Sequence, residues 1–265
     1  MKLGFIGGGN MAQALMIGLN SKRFAMQDIT VIELDANKRA ELSRDLGVNT
    51  TNELASVQTC DVIVLAIKPQ QLPTLAKTLA PLLKQQLVIS IAAGIRLADL
   101  SRWLGDYTII IRAMPNTPAL IGQGIAGLFA RDGAGAADRA LVERVLAPTG
   151  QLLWVARERD LDAVTALSGS GPAYVFYVLE AMIEAGTQMG LPAAQARRLA
   201  EQTFAGAAQL AMQADEPVPE LRQRVTSKGG TTLAAIEVLE AGQVKAAFVR
   251  ALHAARQRAE ELGRA

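Results

Sequence analysis

Apolar residues follow two different periods along the chain. As far as about residue 157, short runs rich in Val, Ile and Leu alternate with helical patterns. The runs at 62–67 and 87–92 are apolar at nearly every position, which is typical of strands covered by helices on both faces. The alternation predicts an α/β fold with a mostly parallel, doubly wound sheet. The predicted strands are 2–6, 29–34, 61–67, 87–92, 107–112, 125–129 and 152–155, and the predicted helices between them are 10–19, 36–46, 69–83, 97–104 and 137–147.

The chain carries only helical patterns from residue 158 onward. Ser-Gly-Ser-Gly at 168–171 is expected to interrupt the helical pattern, and Pro172 is expected to open a new helix. The stretch 174–179 is apolar all round, so we expect a partner subunit to cover part of it. The predicted domains are therefore 1–157 and 158–265. The predicted helices of the second are 160–167, 172–189, 192–213, 220–225, 233–240 and 244–262.

Composition removes several classes of function. The 265 residues include 27 Lys and Arg against 25 Asp and Glu, with no basic block, which argues against nucleic acid as a partner. Half of the residues are hydrophobic, enough for a sizeable core. Cys60 is the only cysteine and His253 the only histidine, so we expect neither a disulfide framework nor a metal site. No signal-peptide pattern and no apolar run of membrane-spanning length is found, so the expected location is the cytoplasm and no membrane is expected as a partner.

A glycine-rich turn follows the first predicted strand directly and opens a helix. Its sequence, Gly7-Gly8-Gly9-Asn10-Met11-Ala12, fits the pattern G-x-G-x-x-G/A of dinucleotide-binding turns. Gly7 permits a tight turn, Gly9 lets the backbone approach a pyrophosphate, and Ala12 allows close packing of helix on strand. Asn10 and Met11 begin the helix, whose unpaired N–H groups favour an anion. The turn predicts dinucleotide binding.

Glu33 lies 21 residues after Ala12, at the end of the second predicted strand. An acidic side chain there can accept from the ribose 2′-OH and repel a 2′-phosphate, which favours NAD(H). Two other interpretations stay open. Glu33 can point to solvent while Asp35 caps the next helix. Lys38 and Arg39 can attract a 2′-phosphate, which favours NADP(H).

Three further loops stand at the carboxyl ends of predicted strands, where ligands of open α/β sheets gather. Two prolines brace the loop 113–118 and reduce the entropy cost of holding its central asparagine. The alternative is a set of ordinary turns, with a solvated cation at residue 68. The candidate cofactor-binding residues on these loops are Ala66, Ile67, Lys68, Pro69, Ala92, Met114 and Asn116.

Two loops of glycines and hydroxyl residues, 168–172 and 226–232, precede helices in the second half. Such loops offer exposed N–H donors and hydroxyls to an anion such as a carboxylate. The alternative for the second loop is plain helix capping by Thr231 or Thr232.

Together these motifs resemble the pyrroline-5-carboxylate reductases over nearly the whole chain. The stretches that carry the resemblance are 5–12, 67–69, 90–94, 112–118, 168–174 and 225–236. The resemblance implies an N-terminal Rossmann domain and an all-α dimerisation and substrate-binding domain, with dimers often arranged as a decamer. It implies that NAD(P)H reduces 1-pyrroline-5-carboxylate to L-proline, the last step of proline biosynthesis. Glu33 departs from the many relatives that prefer NADPH, and Lys228 stands where many have proline.

A protonated cyclic imine already accepts hydride at carbon, so no protein nucleophile is required. We assign the substrate carboxylate to Ser227, Gly230, Thr231 and Thr232, and expect the site to lie between the two halves. By resemblance, the Thr232 hydroxyl is the catalytic group that reaches the ring nitrogen, and water can supply the proton. Two rivals remain: a related dehydrogenase acting on another imine or a hydroxy acid, and a non-catalytic NAD(P) sensor. The Ser/Gly/Thr character of the second half counts against a hydroxy-acid dehydrogenase, which usually needs a Lys or His donor there.

Overall fold

The computed structural model describes residues 1–263, and these form two compact units. The first unit is Met1–Pro172 together with the C-terminal segment that begins at Ala255. The second unit is Ala173–Ala254. The domain boundary after residue 157 stays a prediction.

One sheet of eight strands organises the first unit. Its strands are β1 (Leu3–Ile6), β2 (Ile29–Ile32), β3 (Asn49–Thr51), β4 (Val62–Leu65), β5 (Leu87–Ser90), β6 (Ile110–Met114), β7 (Gly124–Ala130) and β8 (Gly150–Trp154). Their order is β3-β2-β1-β4-β5-β6-β7-β8, and every neighbouring pair is parallel except β6 with β7. The predicted doubly wound α/β fold is confirmed. The sequence did not predict β3, a three-residue polar strand at the edge of the sheet.

Helices cover both faces of this sheet. They are α1 (Asn10–Ser21), α2 (Ala36–Leu46), α3 (Leu72–Leu79), α4 (Leu97–Trp103), α5 (Ala136–Leu146) and α6 (Asp160–Val164). The single helix predicted over 69–83 is wrong: 3-10 turns at Pro69–Gln71 and Ala80–Leu82 flank α3. Pro81 explains the second break, because proline lacks the N–H that an α-helix needs and its ring clashes with the preceding turn.

Alternate residues of each central strand pack into two separate hydrophobic cores, one on each face of the sheet. Along β4, Val64 belongs to the core on one face and Ile63 to the core on the other, and both are fully buried. In β1, Phe5 and Ile6 divide in the same way. Burial of one such aliphatic side chain contributes about 1.5–3 kcal/mol, so the two cores hold the sheet and with it the loops at the strand ends.

A π-helical turn, Thr165–Gly169, joins α6 to α7 (Gly171–Gln188). The α-helical pattern is interrupted close to the predicted stretch 168–171, where the chain forms a π-turn and a bend at Ser170, and a new helix begins at Gly171, one residue before Pro172. The N–H of Ser170 donates to the carbonyl of Thr165 at 2.8 Å, five residues back. The hydroxyls of Thr165 and Ser168 donate to the carbonyls of Leu161 and Val164. Single π-turns of this kind are frequent at functional sites.

The second unit contains most of α7 and the helices α8 (Ala193–Gln213), α9 (Val218–Arg224), α10 (Thr231–Ala241) and the greater part of α11 (Val244–Leu262). Within residues 173–254, the fully buried positions are the small residues Gly186, Ala196 and Ala200. Phe176 and Tyr177 of α7 are 59% and 72% exposed. Part of the apolar surface that the sequence predicted for 174–179 is therefore left uncovered by the chain itself, while its other residues are half-buried. None of the helices within residues 1–263 combines the length and apolar character needed to cross a membrane.

Candidate active site

A cleft of about 730 Å³ opens at the carboxyl ends of β1, β2 and β4. β1 is the strand at which the order reverses, with β2 on one side and β4 on the other. Ligands of open α/β sheets bind at this switch point, and the volume lies within the range of small-molecule sites. The cleft is lined by Ile6, Gly7, Gly8, Gly9, Ile32, Glu33, Leu34, Lys38, Asn52, Leu54, Ala66, Ile67, Lys68, Gln70, Gln71, Thr74, Leu75 and Thr78.

The glycine turn between β1 and α1 has the geometry that its motif predicts. Gly7 has φ +95°, and a Cβ there would lie 2.7 Å from the carbonyl oxygen of Ala66. A Cβ on Gly9 would meet no atom within 4 Å, so the backbone at Gly9 faces open space in the cleft wall. Ala12 is fully buried in the core beneath the turn.

The first turn of α1 leaves its backbone donors free. Gly9 is the N-cap, it provides no side-chain cap, and no acidic residue stands in this turn. Within residues 1–263, the N–H groups of Asn10, Met11 and Ala12 find no acceptor, and the first bonded N–H is that of Gln13, which donates to the carbonyl of Gly9 at 3.0 Å. Free donors and the positive end of the helix dipole suit a phosphate group.

Glu33 folds back onto the glycine turn, so the interpretation in which it points to solvent is wrong. Its Oε2 accepts from the N–H of Gly8 at 3.0 Å. Its Oε1 accepts from the N–H groups of Leu34 and Asp35 at 2.8 and 3.2 Å, and its side chain is 16% exposed. Asp35 caps α2, as that interpretation also proposed.

The environment of Glu33 favours its charged form. Partial burial alone would raise its pKa, but the N–H groups of Gly8, Asp35 and Leu34 and the charge of Lys38 outweigh burial and lower the pKa below its ordinary value. The Nζ of Lys38 lies 3.5 Å from Oε2. The guanidinium of Arg39 donates to the carbonyls of Glu33 and Leu34. Both cations that could attract a 2′-phosphate therefore already have partners on this loop.

The remaining loop candidates fall into two groups. Ala66, Ile67 and Lys68 line the same cleft as the glycine turn, and Pro69 follows directly as the start of a 3-10 turn. Ala92, Met114 and Asn116 do not line it. Ala92 is buried and Met114 is partly buried at the end of β6.

Asn116 uses its side chain to join three segments of the first unit. Its Oδ1 accepts from the N–H of Ile125 at 2.9 Å, and its Nδ2 donates to the carbonyl of Ser168 at 3.2 Å. The residue is 8% exposed. The amide therefore holds the loop after β6 against β7 and the π-turn.

In the loop before α10, the Thr226 hydroxyl donates to the carbonyl of Arg222 at 2.6 Å, and the other three hydroxyls are free within residues 1–263. Gly230 is the N-cap of α10 without a side-chain bond, so the alternative of capping by Thr231 or Thr232 is wrong. Ser227 and Thr231 are exposed and Thr232 is half-buried, and their hydroxyls have no hydrogen-bond partner within residues 1–263. The N–H of Gly230 donates to the carbonyl of Ser227 at 3.1 Å, and a Cβ on Gly230 would lie 2.5 Å from the Ser227 hydroxyl. That N–H is already committed within the turn.

Sequence reasoning missed the polar wall of the cleft. Asn52, Gln70, Gln71, Thr74 and Thr78 line it, and three of them stand four residues apart along the helical stretch after Lys68. That spacing was the available signal, because residues four apart share one face of a helix. Among residues 1–263, no three His, Cys, Asp or Glu side chains gather where they could hold a metal ion.

Comparisons with known proteins agree with this geometry. Residues 2–94 match a family model described as NADP oxidoreductase coenzyme F420-dependent, and residues 158–262 match one described as pyrroline-5-carboxylate reductase dimerisation. A pyrroline-5-carboxylate reductase of Pseudomonas aeruginosa is 43% identical over 98% of this chain and 96% of its own length. The chain belongs to the pyrroline-5-carboxylate reductase family.

Solved members of the family have the same fold. The pyrroline-5-carboxylate reductase of Coxiella burnetii is 40% identical, with a TM-score of 0.90 over 98% of each chain. The Plasmodium falciparum pyrroline carboxylate reductase, solved with NADP bound, is 29% identical, with a TM-score of 0.92 over 99% of this chain and 98% of its own. Membership confirms the predicted NAD(P)-dependent oxidoreductase and the predicted cofactor class, while the choice between NADH and NADPH stays a prediction.

Proposed function

We propose that this chain reduces 1-pyrroline-5-carboxylate to L-proline with NAD(P)H, as the last step of proline biosynthesis. The observation that carries the proposal is membership of the reductase family, with 43% identity across nearly the whole of both chains. The switch-point cleft and the free hydroxyl loop before α10 are the two chemical features that this reaction needs.

The residues around the glycine turn fit a dinucleotide. The free N–H groups of Asn10 and Met11 bind the pyrophosphate, and Gly9 leaves room for its approach. Glu33 accepts from the adenosine ribose with the lone pair that its three N–H donors leave unused. Lys68 and the neighbouring residues 66–69 line the same cleft. The bound reduced nicotinamide supplies the hydride.

The loop before α10 binds the substrate carboxylate. Ser227, Thr231 and Thr232 donate hydroxyls, and the first turn of α10 donates its free N–H groups. Gly230 contributes by lacking a side chain beside Ser227, because its own N–H is engaged in the turn. The Thr232 hydroxyl hydrogen-bonds the ring nitrogen. Water supplies the proton that converts the imine to its protonated form, and addition of hydride at the ring carbon then gives the secondary amine.

The decisive experiment follows oxidation of NADPH and NADH side by side when 1-pyrroline-5-carboxylate is added. Thr232→Ala removes one hydrogen bond to a charged group, worth about 1.5–3 kcal/mol, so kcat/KM falls about tenfold or more. Thr187→Ala is the control, because the Thr187 hydroxyl donates to its own helix at the carbonyl of Ile183. Absence of oxidation with both cofactors defeats the proposal, and unchanged kinetics in Thr232→Ala remove that residue from the mechanism.

We also propose a homodimer formed through the helical half, with dimers assembling into a decamer. Support comes from the dimerisation family model over residues 158–262 and from the exposed Phe176 and Tyr177. A cytoplasmic location, with no nucleic-acid partner, completes the proposal. Light scattering of the active protein tests the assembly, and an active monomer would contradict it.

A further inference from the structure

We propose that Arg112 is a positioning residue, which acts with Glu158 and Asp162 to hold the loops at the carboxyl ends of β5 and β6 in one frame. The inference rests on the proposed function, because these loops carry Ala92, Met114 and Asn116, which the sequence predicts to be cofactor-binding residues. Arg112 itself does not line the switch-point cleft.

The central charge of this network is Arg112, a buried cation on β6. The Arg112 side chain is 1% exposed, with NH1 3.2 Å from Oε1 of Glu158 and NH2 3.9 Å from Oδ1 of Asp162. Asp162 is also 1% exposed. Burial lowers the pKa of Arg112, whereas the charge of Glu158 acts in the opposite direction. A buried guanidinium and carboxylate are retained only when each has the other close by.

The same two acids also hold the start of α4. Glu158 Oε1 accepts from the N–H of Leu97 at 2.7 Å, where α4 has no side-chain cap of its own. Asp162 Oδ2 lies 2.5 Å from NH2 of Arg96. The segment that precedes α4 contains Ala92, so a shift of these acids moves both β6 and the Ala92 loop.

The far end of the frame is the π-turn that follows α6. The carbonyl of Ser168 accepts from Asn116, and a Cβ on Gly169 would lie 2.5 Å from the methyl group of Met114. The stretch from Glu158 to Gly169 is thus fixed to β6 at two points. Arg112 holds its start, at Glu158, and the carboxyl end of β6 holds its finish. Met114 and Asn116 form the second of these attachments.

The network is poorly built as a source of stability alone. Arg96 NH1, Arg112 NH2 and Asp162 Oδ1 are buried without a hydrogen-bond partner in the part of the chain that the structure describes. Partly satisfied buried networks stabilise less than apolar packing of the same volume. These charges fix the positions of the loops through directed ion pairs and hydrogen bonds, which apolar side chains cannot form.

The test compares Arg112→Lys, which keeps the charge and loses the forked geometry, with Glu158→Gln, which keeps an acceptor for Leu97. Arg157→Met is the matched control, because Arg157 pairs with Asp160 on the surface next to this network. Measurements are the Kd of NADPH by fluorescence, amide hydrogen exchange, kcat and KM, and the primary isotope effect with 4-deuterated cofactor.

In Arg112→Lys and Glu158→Gln, kcat is expected to fall tenfold or more and the isotope effect to rise, while the NADPH Kd stays within threefold. Amide hydrogen exchange accelerates in residues 92–97, 114–118 and 165–169 and is unchanged in residues 7–13. The Arg157→Met control matches the parent in every measurement. Unchanged kcat with a lower melting temperature, or unchanged exchange in those peptides, would overturn the inference. If the parent protein does not oxidise the cofactor, the proposed function is wrong instead. The exchange data then still show whether Arg112, Glu158 and Asp162 hold these loops in place.

Discussion

Replacement of Glu33 tests cofactor choice most directly. Glu33→Ser removes a negative charge from the cleft wall and frees Lys38, which lies 3.5 Å from the Glu33 carboxylate. We expect the ratio of kcat/KM for NADPH to kcat/KM for NADH to rise. NADPH loses a repulsive neighbour and gains an unpaired cation, whereas NADH loses the acceptor for its ribose hydroxyl.

The magnitude follows from the position of the carboxylate. Two unit charges 4 Å apart interact by about 1 kcal/mol in bulk water and about 4 kcal/mol near a protein surface. The Glu33 side chain is 16% exposed, and Lys38 offsets part of its charge, so the lower part of that range applies. A difference of about 1.4 kcal/mol lies in that lower part and corresponds to a tenfold change in the ratio, which is the shift we expect.

The ratio matters more than either rate alone. Glu33→Ser also removes the carboxylate that accepts from the N–H groups of Gly8, Leu34 and Asp35, so the turn loosens for both cofactors. Both cofactors use the same turn, so this loosening weakens both equally and does not change the ratio of their kcat/KM values. Glu41→Ser, on the exposed part of α2, is the control with the same change in net charge. A ratio that Glu33→Ser leaves unaltered would show that the carboxylate does not face the ribose.

Three further predictions concern the turn, pH and assembly. Gly9→Ala should leave the melting temperature unchanged, because its Cβ meets no atom within 4 Å, but should raise the NADPH Kd about tenfold or more; equal affinity would refute the phosphate assignment. Because the pKa of Glu33 is lowered on folding, its contribution to the free energy of unfolding is present above the ordinary pKa of 4.5 and is lost as pH falls through the folded value. Urea unfolding of Glu33→Gln should therefore approach that of the parent at low pH, and a constant difference would contradict this. Tyr177→Glu should dissociate the dimer in light scattering, since Tyr177 is 72% exposed on an apolar helix, and an intact dimer would place the interface elsewhere.

Local pattern was enough to predict the sheet and the turn. The apolar runs at β4 and β5 predicted strands covered on both faces, and the structure gives Val64 and Ile63 to opposite cores. Gly7 has the positive φ that its motif requires. These features depend on residues that are close together in the sequence, so the local order of apolar residues and glycines is enough to predict them.

Features that depend on distant contacts were not predicted. β3 consists of Asn-Thr-Thr and pairs with β2 only at the sheet edge, so it has no apolar period. Glu33 folds back because Gly8, 25 residues earlier, offers it an N–H. The link between Arg112 and Glu158 spans 46 residues and leaves no local signal. The π-turn was also not predicted, and its carbonyl at Ser168 accepts from Asn116, 52 residues earlier in the chain.

The thin interior of the helical unit has a consequence for how the protein persists in a cell. The buried positions within residues 173–254 are small residues, and the larger apolar side chains are half-buried or exposed, so burial within one chain contributes little to the stability of this unit. In the proposed dimer, pairing therefore stabilises this unit, and its melting temperature rises with protein concentration. A chain that has not yet paired is then more open to proteolysis, so a larger share of newly made chains is expected to be degraded when the protein is scarce.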